Sequence, residues 1–97
     1  MIIVAGQIRV AAGDRDRYLA AVADVARLAR VAPGCLDFVQ AADPLDPERI
    51  NIFERWETDD DLIGFRESGD PDAPEPALPD VLSVEVVKYR IASVEAP

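Results

Sequence analysis

Histidine is missing from all 97 residues of this sequence, and that one absence removes a large part of enzyme chemistry. The commonest zinc, haem and non-haem iron ligand sets need it. Ser-His-Asp and Cys-His nucleophiles need it too. Acid–base work near neutral pH is left to a carboxylate of raised pKa, a tyrosine, a lysine, or the substrate's own acidity. The single cysteine excludes an internal disulfide and suits a reducing compartment, so the expected location is the cytoplasm. No GxGxxG and no GxxxxGK(S/T) occurs, so no motif asks for a nucleotide cofactor. Basic residues are scarce: 10 Lys and Arg stand against 19 Asp and Glu, a net charge of −9. That balance argues against nucleic acid and against an anionic membrane as partners. Long apolar runs are lacking as well; none approaches the roughly 18 residues of a membrane span. Met1 to Val10 has neither the basic region nor the cleavage site of a signal peptide.

What is present is a sequence 49% hydrophobic, which predicts one compact domain over residues 1–97. A chain of this size buries about two-thirds of the surface it exposes unfolded, enough for one core with little to spare. Ile2 to Val10 alternate, with Ile2, Val4, Gly6, Ile8 and Val10 on one face and Ile3, Ala5, Gln7 and Arg9 on the other, which predicts a strand. Asp14 is placed to cap a helix from Arg15 to about Val31, whose apolar stripe is Tyr18, Val22, Val25 and Ala29. Pro33-Gly34 stops it. Cys35 to Ala41 reads as a second strand with Leu36, Phe38 and Gln40 on one side. Asp43 to Pro47 forms a turn, and Ile50 to Glu57 a third strand antiparallel to the second. Thr58 and Asp61 resemble a capping box for a short acidic helix ending near Ser68-Gly69. The acidic stretch over 68–80, with Pro71, Pro74, Pro76 and Pro79, is either a solvated loop or a lid over a pocket. Val81 to Val94 reads as a last, long strand.

Two β-α-β halves in so short a chain predict an α+β fold of the ferredoxin-like, split β-α-β kind. Four antiparallel strands form one sheet, and right-handed crossovers put both helices on the same face. The other face then carries Ile3, Ala5, Phe53, Val87, Tyr89 and Ile91, too much apolar surface for a monomer to leave wet. A homodimer packing sheet against sheet would cover it, with Asn51 and Arg55 in the contact.

The Met1-Ile2-Ile3-Val4 opening, Pro33-Gly34-Cys35-Leu36, the Asp43-Pro44 turn and Glu54-Arg55-Trp56-Glu57 before an acidic helix occur in an order that resembles one family. It is the antibiotic biosynthesis monooxygenase family of dimeric α+β barrels, which includes quinol and anthrone oxygenases. The likeness covers roughly residues 1–67. It implies a cofactor-independent monooxygenase of an electron-rich aromatic small molecule. Many members place a histidine near the end of the second helix, where this chain has Phe65 and Arg66. Members that degrade haem use an Asn, a Trp and a His, so the resemblance implies no such activity here.

Ile50, Ile52, Glu54 and Trp56 share one face of the third strand, assigned to the helix side. Gly6 leaves a gap in the branched row of the first strand. One reading is a pocket for a flat ring, lined by Gly6, Tyr18, Phe38 and Phe65, with Trp56 as a wall and Glu54 as the catalytic proton acceptor. The other is ordinary core, with Gly6 making room for the Trp56 indole and Glu54 paired to Arg90 or Lys88. Cys35 is expected to be a small buried hydrophobe. Function divides accordingly between the monooxygenase and a non-catalytic dimeric module that binds an aromatic metabolite or a protein partner. On either reading no cofactor is expected. The purified protein should show no visible absorption band and no stoichiometric metal; either one, by optical or elemental analysis, overturns the expectation.

Overall fold

The computed structural model describes residues 1–69, 71–73 and 77–97. Its elements run β1 (Ile2–Val10), α1 (Arg15–Arg30), β2 (Cys35–Ala42), β3 (Arg49–Trp56), α2 (Asp59–Glu67) and β4 (Val81–Arg90). The strands form one sheet in the order β2-β3-β1-β4, antiparallel throughout. This is the ferredoxin-like α+β fold that the order of elements predicts. No helix among the described residues is long and apolar enough to cross a membrane.

The alternation in β1 and β3 places their branched residues under the helices, and two groups of buried side chains result. Ile2, Val4, Ala29, Phe38, Trp56 and Leu62 pack together at one end of the sheet. Ile8, Val10, Tyr18, Val22, Ile50 and Ile52 pack at the other. α1 spans both, with Tyr18 and Val22 over one group and Ala29 over the other. α2 covers only the first, through Leu62. The opposite sheet face has no cover in the single chain: Phe53 is 37% exposed, Val87 52% and Tyr89 50%.

Local chemistry sets the boundaries. Thr58 caps α2 by accepting the Asp61 N–H at 3.1 Å, and its own hydroxyl donates to the Asp61 carboxylate at 2.8 Å. The turn before β3 is organised by Asp43, whose carboxylate accepts the N–H groups of Leu45 and Asp46 and the Asn51 amide. These bonds to the ionised form hold its pKa down at about 2. Arg15 clasps the same turn by donating to the carbonyls of Asp43 and Asp46.

Several details depart from the sequence expectations. A 3₁₀ turn over Ala12–Asp14 precedes α1, and Asp14 pairs with Arg17 at 2.8 Å instead of capping the helix. β2 slips register between Cys35 and Asp37, so Leu36 leaves the face of Phe38 and Gln40 and stands exposed. β4 stops at Arg90, opposite Ile2 at the start of β1, with one further backbone bond from the Ile91 N–H to the Met1 carbonyl at 3.0 Å. Within the proline-rich stretch, 71–73 form a turn and 77–80 have no regular structure, while positions 70 and 74–76 lie outside the described residues.

Gly6 has a different reason from the one its neighbours suggested. It pairs with Ile52 and Val86, not with Trp56. Its φ is +150°, and a Cβ there would lie 1.9 Å from the Glu85 carbonyl oxygen. The missing side chain is needed because β4's backbone runs too close, and no hollow is left for a ring. Gly6→Ala should therefore destabilise the protein by about 3 kcal/mol, from backbone strain plus overpacking. Urea denaturation checks this; a loss within error of zero would show that β4 can retreat at no cost.

Candidate functional site

β3 ends on Trp56, whose indole is fully buried at 0% exposure among Ile2, Val4, Phe38, Ala29 and Leu62. An indole N–H sunk this deep needs an acceptor. Two residues back on the same strand face, Glu54 supplies it: Trp56 Nε1–H donates to Glu54 Oε1 at 3.1 Å. Phe65, from the last turn of α2, lies over both aromatic neighbours. Its ring centroid is 5.5 Å from Trp56, tilted by 31°, and 6.1 Å from Phe38 in an edge-on arrangement at 67°. Glu54 sits between Val4 and Phe38 in the sheet register. The structure thus brings Glu54, Trp56, Phe38 and Phe65 together.

Tyr18 and Gly6 are elsewhere. Tyr18 belongs to the far group with Ile50 and Ile52, and Ile50 lies six positions before Trp56, about 20 Å along β3. Burial raises its phenol pKa, and nothing connects it to Glu54. Lys88 and Arg90 do not pair with Glu54 either; both donate to Asp59 at 2.9 Å, tying α2 to β4. The reason is topological. β1 lies between β3 and β4, with Val4 opposite Lys88 on one side and Glu54 on the other. Asp59, at the start of α2, reaches β4 directly.

Glu54 is consequently a half-buried carboxylate with one modest donor. Burial pushes its pKa above the ordinary glutamate value, and the Trp56 hydrogen bond and the Arg66 charge pull part of that back. Among the described residues no other side chain bonds it. Cys35 stands nearby on β2, its thiol raised by burial and by the Glu54 charge. No group of three or more His, Cys, Asp or Glu among the described residues could hold a metal ion.

Above this cluster, between α1 and α2, lies a cleft of about 640 Å³. Leu28, Ala32 and Pro33 wall one side, and Asp61, Gly64 and Phe65 the other. Phe65 is the shared element: it lines the cleft and touches the two buried rings. Trp56 itself is covered, so the space beside its indole is filled.

The sequence profile of the antibiotic biosynthesis monooxygenase family matches residues 1–73. The chain belongs to this family. Solved structures of the same fold include a candidate antibiotic biosynthesis monooxygenase from Deinococcus radiodurans, 17% identical over 100% of this chain and 98% of that one, with a TM-score of 0.78. A second, from Chloroflexus aurantiacus, is 25% identical over 98% of this chain and 96% of its own, with a TM-score of 0.65. A heme-degrading protein from Mycobacterium tuberculosis is 17% identical over 98% of each chain, with a TM-score of 0.68. No curated protein matches the sequence significantly.

In this family member two features escaped the sequence reading. The cleft between the helices depends on how α1 and α2 splay, which no local pattern encodes. Arg66 carried a signal, its adjacency to Phe65, but its closeness to Glu54 required the strand order.

The burial of Glu54 has a stability consequence. An acid whose folded pKa lies above its unfolded one keeps its proton longer in the native state. That contribution is complete below the ordinary glutamate pKa and is lost as pH rises through the raised value. Glu54→Gln preserves an oxygen for the indole N–H and has no charge to desolvate. Relative to the native protein, it should gain stability as pH rises from about 4 to about 8, the range that brackets the ordinary value of Glu and extends above it. Denaturant midpoints across that range test it; a constant difference would mean the native carboxylate is not desolvated.

Proposed function

We propose that the chain is a cofactor-independent monooxygenase of an electron-rich aromatic small molecule, of the quinol or anthrone type. The observation that supports this most is the half-buried Glu54 carboxylate, held on one oxygen by Trp56 and flanked by Phe38 and Phe65. A ring entering the cleft and displacing the Phe65 side chain would lie against Phe38 and Trp56 with Glu54 alongside. The family supports a monooxygenase in general terms; the substrate class rests on the chemistry of the site.

The reaction balances without a bound cofactor. Glu54 takes a proton from the acidic ring carbon, and the electron pair of that bond stays on the substrate as a delocalised carbanion. One electron passes to dioxygen, the resulting radicals couple, and a C–O bond forms. Glu54 returns the proton to the peroxide. The O–O bond then breaks with loss of water as the remaining ring C–H leaves as a proton, so one oxygen atom ends in the quinone and the other in water. The protein's contribution is a dry apolar slot, orientation of the ring, and one proton acceptor of raised pKa.

Haem chemistry of the kind named for the Mycobacterium protein does not fit the donors here. The sequence holds no histidine, and the Tyr18 phenol lies in the far core. The Cys35 thiol donates to the Asp37 carbonyl at 3.6 Å, and its pKa is raised. No step is routed through haem.

The working unit in this proposal is a homodimer joined through the uncovered sheet face. Phe53, Val87 and Tyr89 supply apolar surface there. The Gln7 side-chain oxygen on the same face is buried with no donor among the described residues, and a partner could satisfy it. Phe53→Asp would set a charge in that contact and should shift the protein to monomer by sedimentation; an unchanged mass would place the contact elsewhere.

The full burial of Trp56 favours one competing reading, a module that binds an aromatic metabolite in the cleft without turning it over. Oxygen uptake with a panel of anthrones and naphthoquinols separates the two. Glu54→Gln should abolish uptake while circular dichroism stays native. Full turnover by that variant would remove Glu54 from the mechanism, and binding without uptake by the native protein would leave only the module.

A further inference from the structure

After proline, glycine is the least favourable residue inside an α-helix, because it loses the most backbone freedom and packs nothing. α2 is nine residues long and carries one in its interior, Gly64. The two structural reasons for a glycine are both missing there. Among the described residues positive φ is confined to Gly6 and Gly34, so Gly64 holds a helical conformation open to any residue. A Cβ added at Gly64 would meet no atom within 4 Å, so no neighbour crowds it out. What lies in front of it is the cleft. Gly69 borders the cleft as well, but past the end of α2, where glycine carries no helix penalty.

Asp61, Gly64 and Ser68 follow one another at three- and four-residue steps and line the cleft together, with Phe65 beside them. Leu62, on the opposite side of α2, is fully buried against the sheet core. Gly64 is therefore central to the face that α2 turns to the cleft. Bare helix backbone stands there, across from Leu28, Ala32 and Pro33.

Resting on the reading above that an aromatic ring enters this cleft, we infer that Gly64 is the residue that sets the size of ring admitted. Its missing side chain leaves a slot in which a flat fused ring lies against the backbone of α2.

Two features of the site support this. The opposite wall is apolar, and Leu28 is 64% exposed in the single chain, so a ring in the slot would cover it. Gly64 also directly precedes Phe65, the side chain that must move aside before a ring reaches Trp56. A side chain at 64 would project into the space that the ring needs at that step. Selection of this kind is by shape: a flat face passes a strip of backbone, and a wider ring fails first when the strip gains atoms.

The test is a substitution series, Gly64→Ala and Gly64→Leu, read with anthrone, which has three fused rings, and 1-naphthol, which has two. Calorimetry without oxygen measures affinity, and urea denaturation measures stability. Both variants should unfold at or above the native urea midpoint, since alanine and leucine are better helix formers than glycine. Gly64→Ala should weaken anthrone a few-fold and Gly64→Leu by about ten-fold or more, while 1-naphthol changes by about three-fold or less. Gained stability with a size-graded loss of binding is a pair of results that a structural glycine does not give. Urea midpoints that fall, anthrone affinity that ignores Gly64→Leu, or 1-naphthol weakened as much as anthrone would each overturn the inference. Native anthrone oxidation that Gly64→Leu leaves untouched also overturns it and keeps the oxygenase. Size-graded binding without oxygen uptake keeps the inference and removes the oxygenase. If the native protein binds neither ligand, both fall.

Discussion

An indole N–H buried out of reach of water has to be satisfied by the protein itself, and in this chain much of the site follows from that requirement. Trp56 gives the sheet its largest buried side chain. Its N–H finds the only carboxylate on its own strand face, Glu54, at 3.1 Å. Meeting that need draws a charged group halfway into an apolar layer. The resulting rise in pKa is a by-product of packing, and the proposed mechanism uses it by giving that carboxylate the role of proton acceptor. One contact thus links the stability of the core to its chemistry.

The framework was legible because its signals are local and repeated. The period-two rows Ile2-Val4-Ile8-Val10 and Ile50-Ile52-Glu54-Trp56 specified two strands and their inner faces, and the register confirms both. Thr58 and Asp61 marked a helix start that the backbone bonds reproduce. What could not be read depended on elements distant in sequence. Gly6 looked like a gap beside Trp56, but its neighbour is the Glu85 carbonyl of a strand almost eighty residues away. Lys88 and Arg90 looked available to Glu54 until Asp59 was seen to take both. The bulge at Leu36 has no marker in Cys35-Leu36-Asp37, and it inverted the facing of that one leucine.

Of the six residues expected at the site, the four that meet are those tied to Trp56 by aromatic packing or by strand neighbourhood. The two that do not, Gly6 and Tyr18, had been placed by facing alone. A residue's facing says which layer it enters but not where along the strand it lands, and a β-strand travels about 3.4 Å per residue. Tyr18 shares a layer with Trp56 and still belongs to a different core.

The two ends of α2 are held very unequally. Its first turn is fastened by the Thr58 cap, by the bridge from Asp59 to Lys88 and Arg90, and by the fully buried Leu62. Its last turn rests on Phe65. The helix is therefore anchored at its capped end and less tied along the arm beyond Leu62, and the cleft runs beside it from Asp60 past Phe65. Lifting that arm gives up two ring–ring contacts, each worth about 0.5–1.5 kcal/mol beyond burial, while the anchored turn keeps its bonds. In the proposed function, a flat ligand stacking where Phe65 stood would restore what the lifting cost and leave the sheet beneath undisturbed.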